Sequence, residues 1–304
     1  MNADYTLTCC STVDLPADYL AARGIAWSGF HYTLLGKEYR DDLGAALPFP
    51  EFYRRIASDT EGHTAQPNIS EYLALFTPIL ERGQDILHLC FSSGLSGAIN
   101  SARNAALIAG EQFPERRICI VDSLGASTGS GLLLDAMADL RDAGASLDEV
   151  RAFAEENRLR VNHLFFSTNL SWYVRGGRVP RAAGLVGSLL GVCPMLFVDR
   201  AGRLVPNGKI RTKKRAIQEL ADRMERLADG GAAYSGKCFL SHSGCPEDAE
   251  AAAALLRERF PKLDGGVRVH WIGPTVGSHA GPGTVALFFW GCERTLQEQT
   301  DVIQ

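Results

Sequence analysis

The chain of 304 residues is 46% hydrophobic and 22% charged, with a formal net charge of −4 at pH 7. These values are typical of a soluble globular protein of about two domains. No long basic block is present, which disfavours nucleic-acid binding. No apolar run is long enough to span a bilayer and no signal peptide opens the chain, so we expect a cytoplasmic protein without an integral membrane segment.

Strands and helices alternate through the first half of the chain. Predicted strands cover residues 6–11, 25–35, 86–91 and 118–122, and predicted helices cover residues 17–23, 49–57, 69–82, 98–110, 131–143 and 147–159. The run at 86–91 is almost wholly apolar, as a strand buried on both faces must be. The alternation predicts a parallel sheet with helices on both faces, which we assign to an N-terminal α/β domain at residues 1–160.

The second half of the chain follows a different pattern. Predicted strands at residues 163–167, 192–198, 237–242, 267–272 and 284–290 accompany predicted helices at 213–227 and 247–260. Asn207-Gly208 lies between two short strand-like runs, which predicts a hairpin turn, and residues 273–283 are predicted as a loop. This mixture predicts a C-terminal mixed α/β domain at residues 161–304. The small apolar segment at 182–190 fits either the wall of a ligand slot or a packed core helix.

Eight cysteines are scattered along the chain without a C-x-x-C pair. Several of them lie in apolar strand-like runs, which predicts buried free thiols in a reducing compartment. No Walker loop, G-x-G-x-x-G or H-E-x-x-H motif is present. His88 and Cys90 share one face of a predicted strand, but two ligands do not make a zinc site. Core packing is therefore the favoured interpretation, and neither a metal nor a cofactor is predicted.

The stretch at residues 86–97 combines a buried strand, a turn rich in serine and glycine, and a helix start. Free backbone N–H groups at a helix start favour an anion, and the turn adds Ser93, Ser96 and Gly97. Ser96 as a simple helix cap is the alternative. Ligands of parallel sheets bind beyond the carboxyl ends of the strands, where the polar turns at 11–14, 92–97 and 123–130 all lie. That convergence favours a binding site at Ser96.

Two kinds of chemistry fit this turn. A serine hydrolase would use Ser96 as nucleophile and His279 as base, but the spacing departs from G-x-S-x-G and no third group is evident to orient the histidine. A carboxylate-binding site needs only hydroxyls and helix N–H groups, with a histidine or arginine completing the charge. Binding is the favoured hypothesis, and the hydrolase is the alternative.

Several separated motifs, in order along nearly the whole chain, resemble those of one family. They are STVDLP at 11–16, TAQP at 64–67, SGLSG at 93–97 followed by Ser101-Ala102, IVDS at 120–123, GGRV at 176–179 and HAGPG at 279–283. With these motifs the chain resembles the DegV family, whose members are similar to the fatty-acid-binding subunits of bacterial fatty acid kinase.

This resemblance implies a two-domain DegV-like fold that holds one long-chain fatty acid in an apolar tunnel. It implies that Thr64 and Ser96 donate hydroxyls to the carboxylate, that His279 adds a polar contact, and that Arg178 lies near the head group or acts in phosphotransfer. The implied partner is a separate ATP-dependent kinase subunit that makes an acyl phosphate for phospholipid metabolism. No catalytic cycle or cofactor of its own is implied.

The chain departs from the family pattern at two positions. Cys10 replaces the usual aspartate, and Ala65 replaces the serine of T-S-Q-P. The loss of one acid and one hydroxyl is compatible with binding, but it can change the head-group geometry or the choice of partner.

Overall fold

The computed structural model describes residues 4–58, 62–180 and 191–294, so the predicted apolar slot at 182–190 lies outside the described residues. The strands are β1 (Tyr5–Cys10), β2 (Ala26–Ser28), β3 (His31–Leu34), β4 (Lys37–Arg40), β5 (Thr64–Ala65), β6 (Asp85–Cys90), β7 (Ile118–Asp122), β8 (Val161–Phe166), β9 (Val192–Val198), β10 (Leu204–Arg211), β11 (Cys238–His242), β12 (Val267–Trp271) and β13 (Val285–Trp290). The α-helices are α1 (Ala17–Ala22), α2 (Phe49–Ile56), α3 (Ile69–Glu81), α4 (Ala98–Gln112), α5 (Ser127–Asp142), α6 (Leu147–Asn157), α7 (Ser171–Arg175), α8 (Lys213–Leu227), α9 (Pro246–Arg259) and α10 (Pro274–Ala280).

A four-stranded parallel sheet in the order β2-β1-β6-β7 forms the first main layer. The apolar run of β6 occupies an inner position, where both of its faces are covered. Tyr72 of α3 and Ala102 of α4 belong to the core on one face, and Leu133 of α5 and Val150 of α6 belong to the core on the other. The predicted parallel sheet with helices on both faces is therefore confirmed.

A six-stranded mixed sheet in the order β10-β9-β8-β13-β11-β12 forms the second main layer. Its strands pair antiparallel except for β11 and β12. Helices α8 and α9 cover one face, while α5 contacts β8, β11 and β13 from the other. This arrangement confirms the predicted mixed α/β layer. The domain boundary near residue 160 stays a prediction.

Helix α5 lies between the two main sheets and is buried on nearly all sides. It begins at Ser127, four residues before the predicted start at 131. Residues 127–130, which were predicted to belong to a turn, form the first turn of this helix. They are small because β8 lies close to them. A side chain on Gly129, for example, would collide with the His163 imidazole.

The predicted strand at 25–35 is wrong as a single element. It divides into β2, which joins the parallel sheet, and β3, which pairs antiparallel with β4 and β5 in a small third sheet. The break falls at Gly29, where a Cβ would lie 2.6 Å from the Asp41 carbonyl oxygen. The predicted loop at 273–283 also contains an element, the short helix α10.

The predicted hairpin turn at Asn207-Gly208 is wrong. Both residues lie inside β10, where the pairing with β9 shifts in register. The side chain of Asn207 is held there by a hydrogen bond from Arg223 of α8. The chain reverses instead at residues 199–203, where the Asp199 carboxylate accepts two backbone N–H groups at 2.9 Å.

All eight cysteines are free thiols. Cys90, Cys193 and Cys238 are buried, whereas Cys119 is partly exposed. Among the described residues, none of the helices has both the length and the apolarity needed to cross a bilayer.

The turn after β6 contacts the turn between β9 and β10. The Ser92 hydroxyl donates a hydrogen bond of 2.8 Å to the Gly202 carbonyl oxygen. Gly94 lies against the same segment, and a Cβ at this position would collide with the carbonyl oxygens of Ala201 and Gly202. The two turns can therefore approach this closely only because residue 94 has no side chain.

We expect Gly94→Ala to lower the free energy of unfolding by about 1–3 kcal/mol, because the added methyl group forces the two turns apart. Gly110→Ala is the matched control, since Gly110 lies in α4 with open space around it and should raise that free energy by about 0.5–1 kcal/mol. Urea denaturation of the two variants measures both changes. A Gly94→Ala protein as stable as the wild type would contradict the contact.

Candidate ligand-binding cavity

A cavity lies where the carboxyl end of the parallel sheet meets the mixed sheet. It contains about 720 Å³ of atom-free space, part of which is open to solvent. The wall is mainly apolar, and its apolar members include Phe30, Phe91, Phe165, Val198, Ile272 and Phe288. Such a wall suits the hydrocarbon part of a ligand.

Four of the six predicted site residues line this cavity: Thr64, Ser96, Arg178 and His279. They come from β5, from the turn before α4, from the segment after α7 and from α10. Residues far apart in the sequence therefore meet at one place.

The other two predicted site residues, Ser93 and Gly97, are exposed and do not line the cavity. The Ser93 backbone N–H donates to the Asp122 carboxylate at 3.1 Å, and Gly97 occupies the N-cap position of α4. Both shape the turn that carries Ser96.

Ser96 hydrogen-bonds to the first turn of α4 and also faces the cavity. Its hydroxyl oxygen accepts the Ala98 N–H at 3.2 Å, and the hydroxyl donates to Gln66 Oε1 at 3.3 Å. The amide of Gln66 in turn donates to the Ser101 hydroxyl at 3.1 Å. Gln66 therefore orients Ser96. Gln66 is not among the predicted site residues, although its place in the TAQP motif is a signal for such a role.

His279 is a neutral imidazole in the folded protein. Burial, assisted by the charges of Arg178 and Arg175, lowers its pKa to about 3. Nε2 lies 2.7 Å from Thr64 Oγ1, whereas Nδ1 is buried without a partner among the described residues. A hydrogen on Nδ1 would be a buried donor without an acceptor, so we assign the hydrogen to Nε2. Thr64 then accepts from His279 and keeps its own hydroxyl hydrogen for a ligand.

Arg178 is a partly buried cation at the same end of the cavity. Its Nη1 donates to the Gly176 carbonyl at 2.6 Å and its Nε to the Leu95 carbonyl at 3.3 Å. Within the described part of the chain no carboxylate forms an ion pair with it, and burial lowers its pKa. A guanidinium without a counter-ion beside two hydroxyls favours an anionic ligand group.

The remaining polar groups of the wall are already hydrogen-bonded within the protein. Ser127 donates to Asp14 and Thr275 to Asp41, each at 2.5 Å. Burial raises the pKa of both carboxyl groups. The polar end with donors for a ligand is therefore the one formed by Thr64, Ser96, Arg178 and His279, where the Ser96 hydroxyl can exchange its long bond to Gln66 for one to a ligand.

A second, polar pocket opens beside this end. It shares Thr64, Arg178 and His279 with the apolar cavity and adds His63 and Arg175. A ligand head group bound at the shared residues would therefore be close to a basic opening at the protein surface.

The geometry does not support the serine-hydrolase alternative. The Ser96 hydroxyl donates to Gln66 and not to His279, whose Nε2 is engaged by Thr64. The Nδ1 atom of His279 lies against Gly176, and no carboxylate of the described chain orients it. That chemistry needs a nucleophile hydrogen-bonded to a base, and the base in turn hydrogen-bonded to an acid that orients it.

An apolar cavity between two α/β layers, with hydroxyls and an uncompensated cation at one end, is typical of proteins that bind an amphipathic acid. A family model described as "Uncharacterised protein, DegV family" matches residues 9–291. The chain is also 34% identical to the DegV domain-containing protein CPE0026 of Clostridium perfringens over 281 residues, which are 92% of this chain and 95% of that protein. The chain belongs to the DegV family.

Solved structures of this family share the fold. A DegV family protein from Thermus thermophilus, described for its fatty acid binding, is 28% identical, with a TM-score of 0.80 over 95% of this chain and 99% of the other. The fatty acid kinase (Fak) B3 protein of Streptococcus pneumoniae, loaded with linoleic acid, is 21% identical, with a TM-score of 0.82 over 95% and 99% of the two chains. The predicted DegV-like α/β fold is thus confirmed.

We expect the His279 imidazole signals in 15N NMR spectra to stay unchanged between pH 8 and about pH 4, because the folded pKa is about 3. In urea the same ring should titrate near its ordinary value of 6.5. Since the unfolded chain takes up this proton first, the residue's contribution to the free energy of unfolding is fully present above pH 7 and is lost as the pH falls from 6.5 towards 3. A folded-state titration near 6.5 would contradict the burial of the ring.

Proposed function

We propose that this protein binds one long-chain fatty acid, with the alkyl chain in the apolar cavity and the carboxylate at Thr64, Ser96, Arg178 and His279. The observation that carries the proposal is the guanidinium of Arg178, which has no ion-pair partner among the described residues and lies beside the Thr64–His279 pair at one end of an otherwise apolar cavity. The proposed role is binding and presentation of the ligand, without a catalytic step in this chain.

The energetics of the two ligand ends differ. Each buried methylene contributes about 0.8 kcal/mol, so a long alkyl chain supplies most of the affinity. The carboxylate must replace its lost hydration with hydrogen bonds. The hydroxyl of Thr64 and the charge of Arg178 meet that need directly, and the Ser96 hydroxyl does so by turning from Gln66 Oε1 to the ligand. A neutral His279 acts through Thr64, whose hydroxyl it orients towards the ligand.

We further propose that a separate ATP-dependent kinase subunit phosphorylates the bound carboxylate. A carboxylate oxygen would attack the γ-phosphorus of ATP, the bond to the bridging oxygen would break, and ADP would leave with an acyl phosphate remaining. The basic pocket beside Arg175 and Arg178 supports this role, because it gives access to the head-group site from outside. The shared fold of the pneumococcal Fak B3 protein is consistent with it.

We propose a cytoplasmic location and a division into two domains near residue 160. The free state of all eight cysteines supports a reducing environment. Sheet membership supports the division, since the parallel sheet ends with β7 and the mixed sheet starts with β8.

We expect Ser96→Ala and Thr64→Val each to weaken fatty acid binding about 10- to 100-fold, because each removes a hydrogen bond to a charged group. Ser235→Ala, at an exposed position away from the cavity, is the matched control and should leave the affinity unchanged. Displacement of a fluorescent fatty acid measures the affinity, and native mass spectrometry with added oleate or palmitate gives the stoichiometry.

Two outcomes would contradict the proposal. One is a delipidated wild-type protein whose native mass does not shift with added oleate or palmitate. The other is a Ser96→Ala protein that binds like the wild type. Covalent labelling of Ser96 by a fluorophosphonate would instead favour the hydrolase.

A further inference from the structure

A second cluster of reactive side chains lies in the core under α3 and α4, apart from the residues that line the cavity. Cys10 at the end of β1 and His88 and Cys90 of β6 project from the same face of the parallel sheet. All three are completely buried, with side chains no more than 1% exposed. One sulfur or nitrogen atom from each residue lies within 4.8 Å of the other two.

The surroundings hold the imidazole in a defined orientation. His88 Nδ1 lies 2.9 Å from the hydroxyl oxygen of Thr8, its register partner on β1. With Nδ1–H donating to Thr8, the lone pair of Nε2 faces the Cys10 sulfur at 3.8 Å. A metal-binding histidine typically donates its other nitrogen in this way. Tyr72 packs edge-on against the ring and places its hydroxyl 3.4 Å from the Cys10 sulfur.

We propose that Cys10, His88 and Cys90 bind one zinc ion, with the Tyr72 hydroxyl at the fourth position. Zinc bonds of about 2.3 Å to sulfur and about 2.0 Å to nitrogen place these two ligand types ~3.6 Å apart in a tetrahedron. The observed separation of 3.8 Å between the Cys10 sulfur and His88 Nε2 is close to that value. Because the three ligand atoms lie within 4.8 Å of one another, zinc binding requires the site to contract.

Charge balance favours a divalent ion. Two thiolates, a neutral imidazole and a Tyr72 hydroxyl that keeps its proton balance the charge of Zn²⁺, so the occupied site carries no net charge into a fully buried position. A monovalent copper ion with the same ligands would leave one negative charge there. A disulfide between Cys10 and Cys90 would leave the oriented His88 without a role.

The site would join β1 and β6 at their carboxyl ends. These ends lead directly into the turn at Ser11 and to Phe91, which lines the cavity. The proposal does not depend on the identity of the cavity's ligand. It depends on Cys10, the ligand that β1 contributes.

The test measures metal in the full-length protein purified without a polyhistidine tag. We expect about one zinc per chain by elemental analysis, and zinc X-ray absorption with two sulfur neighbours plus nitrogen or oxygen. After refolding with Co²⁺ alone, the protein should show the visible absorption of tetrahedral cobalt and the charge-transfer band of cobalt–thiolate bonds.

Variants identify the ligands. Cys90→Ala should lose the zinc and the cobalt spectrum, whereas Cys238→Ala, which removes a buried free thiol in β11, should keep both. Thr8→Val keeps the shape of the core and should weaken zinc affinity about 10- to 100-fold, so the test does not rely on a variant that fails to fold.

Two outcomes would overturn the proposal. The first is wild-type protein that is zinc-free after growth with added zinc and colourless after refolding with Co²⁺. The second is a Cys10–Cys90 disulfide found by peptide mapping of the native protein without reductant.

Discussion

The position of α5 between two sheets is the constraint on which the rest of the structure depends. One apolar core runs from Leu87 of the parallel sheet through Leu133 of α5 to Phe288 of the mixed sheet. Neither sheet can move relative to the helix without exposing this core to water, so the two layers hold a fixed spacing. The cavity lies at the edge of that core, and its walls are held apart by the same packing. A cavity of this kind is preformed, which reduces the ordering that binding must impose.

The polar end of the cavity combines one permanent cation, Arg178, with one histidine that stays neutral, His279. Arg178 keeps its charge despite burial because a guanidinium remains protonated under all ordinary conditions. His279 stays unprotonated because its ring is buried and because the charges of Arg178 and Arg175 are close to it. The division of roles has a consequence for a bound anion. Arg178 would balance the charge of the anion, while the His279 imidazole fixes the direction of the Thr64 hydroxyl. The strength of the electrostatic attraction and the geometry of the hydrogen bond are therefore set by different residues.

Local sequence patterns predicted the main elements, and separated motifs predicted the residues at the polar end of the cavity. The strand at 86–91 and the helix after it were recognisable because their period and composition agree with their burial. Tertiary contacts account for the errors. Asn207-Gly208 is a strong hairpin signal, but Arg223 of α8 holds the asparagine inside a strand. Likewise, Cys10 is far from His88 in the chain, and only the pairing of β1 with β6 brings the two side chains together.

The contact of Ser92 and Gly94 with the turn at 199–203 has a consequence for engineering. Tips of surface hairpins are usually the safest places to insert a peptide tag or a reporter domain. Here the tip between β9 and β10 packs against another turn of the protein. Its carbonyl groups accept a hydrogen bond from the Ser92 hydroxyl and contact the backbone of Gly94. An insertion at that tip would displace the turn that carries Ser96.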